Sequence, residues 1–127
     1  MSPTFLTLDE VLEIHRDQLS RYGGADGIRD LGLLQSALAQ PQATFGGQFL
    51  HSDLFEMAAA YLFHLVQNHP FIDGNKRVGT VAAIVFLRIN DQGLKITNNE
   101  LESLVLSVAR SETEKTAIAT FFREHAV

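Results

Sequence analysis

Apolar residues recur at intervals of three and four along almost the whole chain, and strict alternation of apolar and polar positions is scarce. That period is the one that gives a helix a buried stripe, so the sequence predicts an all-α fold. The strongest stripe follows Asp53, a cap for a helix running to about Asn68. Its apolar positions, Leu54, Phe55, Met57, Ala58, Tyr61, Leu62, Leu65 and Val66, lie on nearly all sides and mark it as the buried central element. Before it, Thr7-Leu-Asp-Glu10 is a capping box. It opens a helix with Leu8, Val11, Leu12, His15 and Leu19 inward, closed by Gly23-Gly24. A short helix follows Asp30, with Leu33, Leu34, Ala37 and Leu38 on one side and Pro41 as its stop. The stretch from Pro41 to His51 reads as a loop.

After the central helix, His69-Pro70 ends one element and Asn75 starts another, so two helices meet at the loop Phe71-Ile-Asp-Gly74. The new helix carries Val78, Val81, Ala82, Val85, Phe86 and Ile89 inward and is expected to end near Gly93. An Asn98-Asn99 cap precedes a helix with Leu101, Leu104, Val105 and Val108 inward. Ser111-Glu-Thr-Glu114 reads as another capping box, opening a last helix with Ile118, Phe121 and Phe122. Phe55, Phe63, Phe86, Phe121 and Phe122 are expected in the core, and His64 reads as a core or edge histidine. His15, His51 and His125 have no partners at metal-ligand spacing.

With 127 residues, 46% of them hydrophobic, the chain suits one domain over 1–127 that buries roughly two-thirds of its unfolded surface. It has no cysteine, which excludes disulfides, thiolate zinc sites and cysteine nucleophiles. The first ten residues lack a basic region and already contain Asp9, unlike a signal peptide. The most apolar run, Met57 to Val66, is too short to span a bilayer and contains His64. A cytoplasmic protein without membrane attachment is expected. Ten basic against fifteen acidic residues give a net charge of −5 and no field for gripping a phosphate backbone, so direct nucleic-acid binding is not expected.

Residues 69–77, His-Pro-Phe-Ile-Asp-Gly-Asn-Lys-Arg, bring an imidazole, a carboxylate, a glycine, an amide and two cations to one loop at a helix start. A helix start offers unpaired N–H groups and a positive dipole end, which suits an anion. Gly74 permits close backbone approach, while Lys76 and Arg77 can supply charge-assisted bonds to phosphate. Asp73 can hold Mg²⁺, which binds through one or two carboxylates and substrate phosphates. His69 is the candidate general base for an incoming hydroxyl.

His-Pro-Phe-x-Asp-Gly-Asn-Lys-Arg resembles the core motif of the Fic/Doc family, and is most similar to its Doc (death-on-curing) toxin branch. Ser20-Arg-Tyr-Gly-Gly24, Gly27-Ile-Arg-Asp-x-Gly32 and Asp53-Leu-Phe-Glu56 extend the resemblance over roughly residues 8 to 93. It implies a compact six-helix fold with a short flap before the central helix. It also implies His69 as base, Asp73 as Mg²⁺ ligand, and Gly74, Asn75, Lys76 and Arg77 as the nucleotide's phosphate cradle. Thr44-Phe-Gly-Gly47 falls where the family keeps a flap that holds an extended target segment by strand addition.

Fic enzymes that transfer AMP usually read Gly-Asn-Gly-Arg-x-x-Arg, whereas here Lys76 replaces the second glycine and Thr80 the second arginine. A lysine there adds volume and charge beside the phosphates, so the nucleotide is expected in another orientation, presenting a different phosphorus. In Doc-like proteins that difference accompanies phosphoryl transfer from ATP or another nucleoside triphosphate to a Ser or Thr of elongation factor Tu, arresting translation. The alternatives are nucleotidyl transfer by a protein adenylyltransferase, or an inert Fic-fold regulator. Inhibitory Ser/Thr-x-x-x-Glu-Gly/Asn strings fail at their last position in Ser52 to Met57 and Thr120 to His125, so a separate Phd-like antitoxin is the implied partner.

Overall fold

A computed structural model describes residues 2–127. Among the described residues there are six helices: α1 (Leu8–Tyr22), α2 (Leu31–Ala39), α3 (Leu54–Asn68), α4 (Asn75–Ile89), α5 (Asn98–Ala109) and α6 (Lys115–Glu124). Between α2 and α3 lie a 3-10 turn, Gln40–Gln42, and a hairpin of β1 (Thr44–Phe45) and β2 (Gln48–Phe49). The expected helical class is therefore what is found, with one small sheet added. Among the described residues no helix is long and apolar enough to cross a membrane.

The central helix is α3, against which α2, α4, α5 and α6 all pack. Its residues Met57 to Leu62, with Leu65 and Val66, are buried. Tyr61 is wholly enclosed, and its hydroxyl accepts a 2.9 Å hydrogen bond from the Leu6 N–H, which fastens the N-terminal segment to the core. Burial pushes that phenol up to about 12. Helix α4 lies close along α3 at Gly79, where a Cβ would come within 3.2 Å of the Leu62 carbonyl oxygen. Phe86 and Phe122 are fully buried, whereas Phe55, Phe63 and Phe121 are half-buried at the core margin.

Four local expectations need correction. Residues 41–51 are not simply a loop: Thr44 pairs with Phe49 and Phe45 with Gln48 around a two-residue Gly46-Gly47 turn. Both glycines have positive φ, 60° and 80°, the condition for a turn whose twist matches a hairpin. Helix α4 stops at Ile89 rather than near Gly93, because Asn90 donates back to the Phe86 carbonyl and Asp91 turns left-handed (φ 64°). Ile89 consequently faces solvent and Val81 is only half-buried. The cap of α5 is Thr97, reciprocated by Glu100, one residue before the asparagines. Ser111 caps nothing, since its N–H donates to the Val108 carbonyl and Glu112 N–H to Ser107, leaving both in the exit turn of α5. Helix α6 begins after Glu114 without a side-chain cap. The segment at Leu94 forms an antiparallel bridge with Ala126, tying the C-terminus back.

His64, expected at the core or its edge, is half-buried there and has a hydrogen-bond partner. Lys115 Nζ lies 2.9 Å from His64 Nε2 and 3.3 Å from His51 Nε2. Burial, then the Lys115 charge, push His64 down to about 4 and lower His51 as well. The unfolded chain takes up a proton near the ordinary imidazole value of about 6.5, before the folded chain does. Stability from this knot is therefore full above that value and is lost as pH falls toward about 4. The melting temperature of the protein should drop over this window, and His64→Gln should flatten the drop; an unchanged slope would mean the knot does not control it. The His125 pair acts in the opposite sense. Its ring nitrogens lie 2.7 Å from the Phe121 carbonyl oxygen and 2.8 Å from Glu100, both acceptors, so the imidazolium is favoured and His125 is raised. That contribution is present at low pH and is lost as pH rises through the raised value.

Candidate active site

The loop between α3 and α4 is held from below by Asn75. This residue is 5% exposed; its Oδ1 accepts from Phe71 N–H at 2.9 Å and its Nδ2 donates to the Phe71 carbonyl at 2.9 Å. Those two bonds fix the amide orientation, since the flipped amide would set oxygen against oxygen. The remaining Nδ2 hydrogen faces His69 Nδ1 at 3.1 Å. In the neutral ring the proton then sits on Nε2, so abstracting a proton at Nε2 requires the Asn75 contact to give way when substrate arrives. What Asn75 has left for a phosphate is its backbone N–H.

A second clamp comes from residues 27–30. His69 is itself left-handed (φ 50°, ψ 53°) at the end of α3. Arg29 Nε donates to the His69 carbonyl at 2.6 Å and its Nη2 to the Asn68 carbonyl at 2.9 Å, satisfying a helix end that Pro70 cuts short. The Arg29 and Asp30 N–H groups both donate to the Pro70 carbonyl, and Ile72 N–H to Gly27. The imidazole is thus fixed from its backbone outward.

His69, Asp73, Gly74, Asn75, Lys76 and Arg77 line one cleft of about 360 Å³ with Val66 and Ala109. Gly74 caps α4 with φ 85° and no side-chain hydrogen bond caps the first turn, so the leading N–H groups of α4, at the cleft lined by residues 74–77, are left for a ligand. Asp73 Oδ2 accepts from Ala25 N–H at 3.2 Å and Oδ1 from Gly74 N–H at 2.8 Å. These bonds, the Ala25 one foremost, hold its carboxyl below the usual range. Arg77 is largely committed elsewhere: Nη1 lies 3.0 Å from the Gly23 carbonyl oxygen and 3.3 Å from that of Gln18, with the Tyr22 ring at 6.0 Å. The Lys76 ammonium, by contrast, is exposed and has no hydrogen-bond or ion-pair partner among the described residues, the Thr80 hydroxyl bonding to the Lys76 backbone carbonyl and not to its side chain. It is the cation available to a phosphate.

The fit for Mg²⁺ is that of a shared site. An ionised carboxylate offers about four lone-pair positions and Asp73 spends one per oxygen on the backbone. Among the described residues no three metal-ligating side chains converge. A hard cation would therefore be held by Asp73 together with substrate phosphates and water, as Mg²⁺ commonly is.

Gly24 sets the depth of this arrangement. Its φ is 123°, and a Cβ there would stand 2.8 Å from Asp73 Oδ2 and 2.9 Å from Leu19 Cδ2. Gly24→Ala should cost about 1–3 kcal/mol by strain and displace the carboxylate. Denaturant titration reads the first effect and the amide NMR signal of Ala25 the second; an unmoved Ala25 signal would show that the carboxylate tolerates the methyl.

The model of the Fic/DOC family matches residues 5–87. "Protein kinase doc" of Escherichia phage P1 is 33% identical over 116 residues, covering 91% of this chain and 90% of that protein. "Toxin Doc" of Mycolicibacterium smegmatis is 40% identical over 100 residues, 77% of each chain. The chain belongs to the Fic/Doc family.

In this Fic/Doc chain the residues of the central motif meet, whereas the flap stands apart. Thr44, Phe45, Gly46 and Gly47 form the exposed hairpin tip, Phe45 being 81% exposed, and none of them lines the cleft. The hairpin is anchored at its far strand, where Phe49 meets Phe5, itself stacked on Phe86. A larger, mostly apolar groove of about 470 Å³ runs on the other side of Lys76 and Arg77, between α1, α4 and α5, with Tyr22, Val81, Leu101 and Val105 along it. The sequence placed Arg29 within Gly27-Ile-Arg-Asp-x-Gly32 and His15 on the inner face of α1, with no role at the site for either. His15 is 3% exposed and touches the loop itself, its Nε2 lying 2.9 Å from the Asp73 carbonyl oxygen. The available signal was a lone polar residue on the inner stripe of an otherwise apolar helix face.

Proposed function

We propose that this protein is the toxin of a toxin–antitoxin module and phosphorylates a Ser or Thr hydroxyl of a translation factor, elongation factor Tu being the first candidate. The reading rests on one observation: His69, Asp73, the open N-terminus of α4 and the unpartnered Lys76 share a single cleft. In the proposed reaction the target oxygen attacks the terminal phosphorus of a nucleoside triphosphate. The bond from that phosphorus to its bridging oxygen breaks, the diphosphate leaves, and the hydroxyl proton passes to His69. Mg²⁺ held at Asp73 would neutralise phosphate charge. The leading N–H groups of α4 and Lys76 bind and orient the phosphates.

The relatives' names, a protein kinase and a toxin, support phosphoryl transfer and toxicity. So does Lys76, whose ammonium stands where AMP-transferring relatives have a glycine. Among the described residues the outer edges of the β1–β2 hairpin have no strand partner, and they suit an extended target segment added as a further strand. A Phd-like antitoxin is proposed as the partner that silences the site, and the apolar groove beside Lys76 and Arg77 gives it surface to cover. A cytoplasmic location is part of the same proposal, since a translation factor would be met there.

The test mixes the purified protein with Mg²⁺, ATP and elongation factor Tu and reads the intact mass of the factor. A gain of one phosphoryl group is expected. A gain of one AMP would overturn phosphoryl transfer in favour of nucleotidyl transfer, and no gain would exclude this factor as the target.

A further inference from the structure

We propose that His15, on α1, is a positioning residue for the cation-binding carboxylate of Asp73, an inference that rests on the functional reading of the 69–77 loop. Three contacts carry it. The imidazole Nε2 stands 2.9 Å from the backbone carbonyl oxygen of Asp73, and since that oxygen only accepts, Nε2 carries a hydrogen and donates. The ring lies flat against Phe71, with centroids 3.9 Å apart and planes at 9°, so its direction is fixed by the aromatic that anchors the loop. Its Cδ2 backs the Gly74 position, where a Cβ would stand 3.7 Å away.

The consequence is mechanical. Asp73 and Gly74 supply the carboxylate and the turn that aims the first N–H groups of α4, yet Asp73 itself is exposed and Gly74 has no Cβ. Within the loop the 73–74 peptide is restrained by the bond from Gly74 N–H to Asp73's own Oδ1, which joins neighbouring residues and does not tie the peptide to the rest of the fold. A buried donor on another helix, held by stacking, pins the carbonyl from behind, while Ala25 N–H pins the carboxylate from the α1 exit. Helix α1 and the segment that leaves it thus supply both restraints, from residues 58 and 48 positions away in sequence. Outer partners of metal ligands act in this way by limiting the orientations a ligand can adopt.

The test compares His15→Leu, which removes the donor, with His15→Gln, which keeps an N–H within reach. In His15→Leu the Mg²⁺ concentration giving half-maximal transfer should rise about ten-fold, with a smaller change in kcat. His15→Gln should restore most of it. An independent readout needs no activity: the amide NMR signals of Ala25 and Gly74, which donate to the Asp73 carboxylate, should shift in His15→Leu and return in His15→Gln. In an Asp73→Asn background the His15 change should add nothing to the Mg²⁺ dependence, whereas a merely structural residue would add its full loss again. Unmoved Ala25 and Gly74 signals, or an unchanged Mg²⁺ midpoint in His15→Leu, would overturn the assignment. Amide signals that shift in His15→Leu, together with a wild-type protein that transfers nothing, would leave the positioning role standing and strike the functional reading instead.

Discussion

Replacing His69 by asparagine is expected to lower kcat for group transfer by about 10²–10⁴-fold, the usual worth of a positioned general base, while the fold survives. Asparagine is the informative choice because His69 occupies left-handed backbone, φ 50° and ψ 53°, where asparagine is tolerated and alanine is strained. His69→Ala would mix a catalytic loss with a loop that no longer turns correctly. The side chain itself is exposed and, among the described residues, bonds only to Asn75, so its removal leaves one Nδ2 hydrogen without that partner. Full activity in His69→Asn would remove the base from the mechanism, and an unfolded variant, read by circular dichroism, would show that His69 holds structure.

Replacing Asn75 by alanine should destabilise the protein by about 2–4 kcal/mol and abolish transfer together. The side chain satisfies the N–H and the carbonyl of Phe71, a residue with no exposed surface, and a methyl leaves both groups buried without partners. Asn75→Asp should not rescue it: a carboxylate still accepts from the N–H but meets the Phe71 carbonyl oxygen with another oxygen. Urea denaturation with an unchanged m-value measures the loss. A change below about 0.5 kcal/mol, the range of ordinary surface substitutions, would show that Arg29 and the 27–30 segment hold the loop without Asn75.

These two residues sit six positions apart in one motif, yet the sequence treats them differently from the structure. Both read as chemistry. In the fold His69 faces the cleft, whereas the Asn75 side chain turns inward and holds the loop, and Arg77 spends its guanidinium mainly on the exit carbonyls of α1. Only Lys76 keeps its charge unengaged. The type of residue at a helix start can be read locally, but which of its hydrogen-bonding atoms are already occupied depends on segments far away in the chain.

Periodicity placed six helices and made α3 the centre, because a stripe of Val, Leu and Ala must be buried whatever lies opposite it. The capping box at Thr7 and the N-caps Asp30 and Asp53 were equally legible, since a cap bonds within three residues of itself. The same signature at Ser111 failed: the exit turn of α5 had already taken its N–H, and Gln67 of α3 reaches its hydroxyl. The Gly46-Gly47 hairpin passed unnoticed because two residues per strand are too few to show alternation.

What the sequence by itself determined was the helical class, the buried α3 and the set of residues brought to the 69–77 loop, all consequences of spacing within a turn or two. What only the tertiary structure decided was how that loop is held: by His15 and Ala25 on Asp73, by Arg29 on the last carbonyls of α3, and by α1 carbonyls on Arg77. Each of those partners is some forty to sixty residues distant along the chain. A hydrogen bond of that reach leaves no periodic trace in a sequence, because it forms only once the core has closed and brought its two ends together.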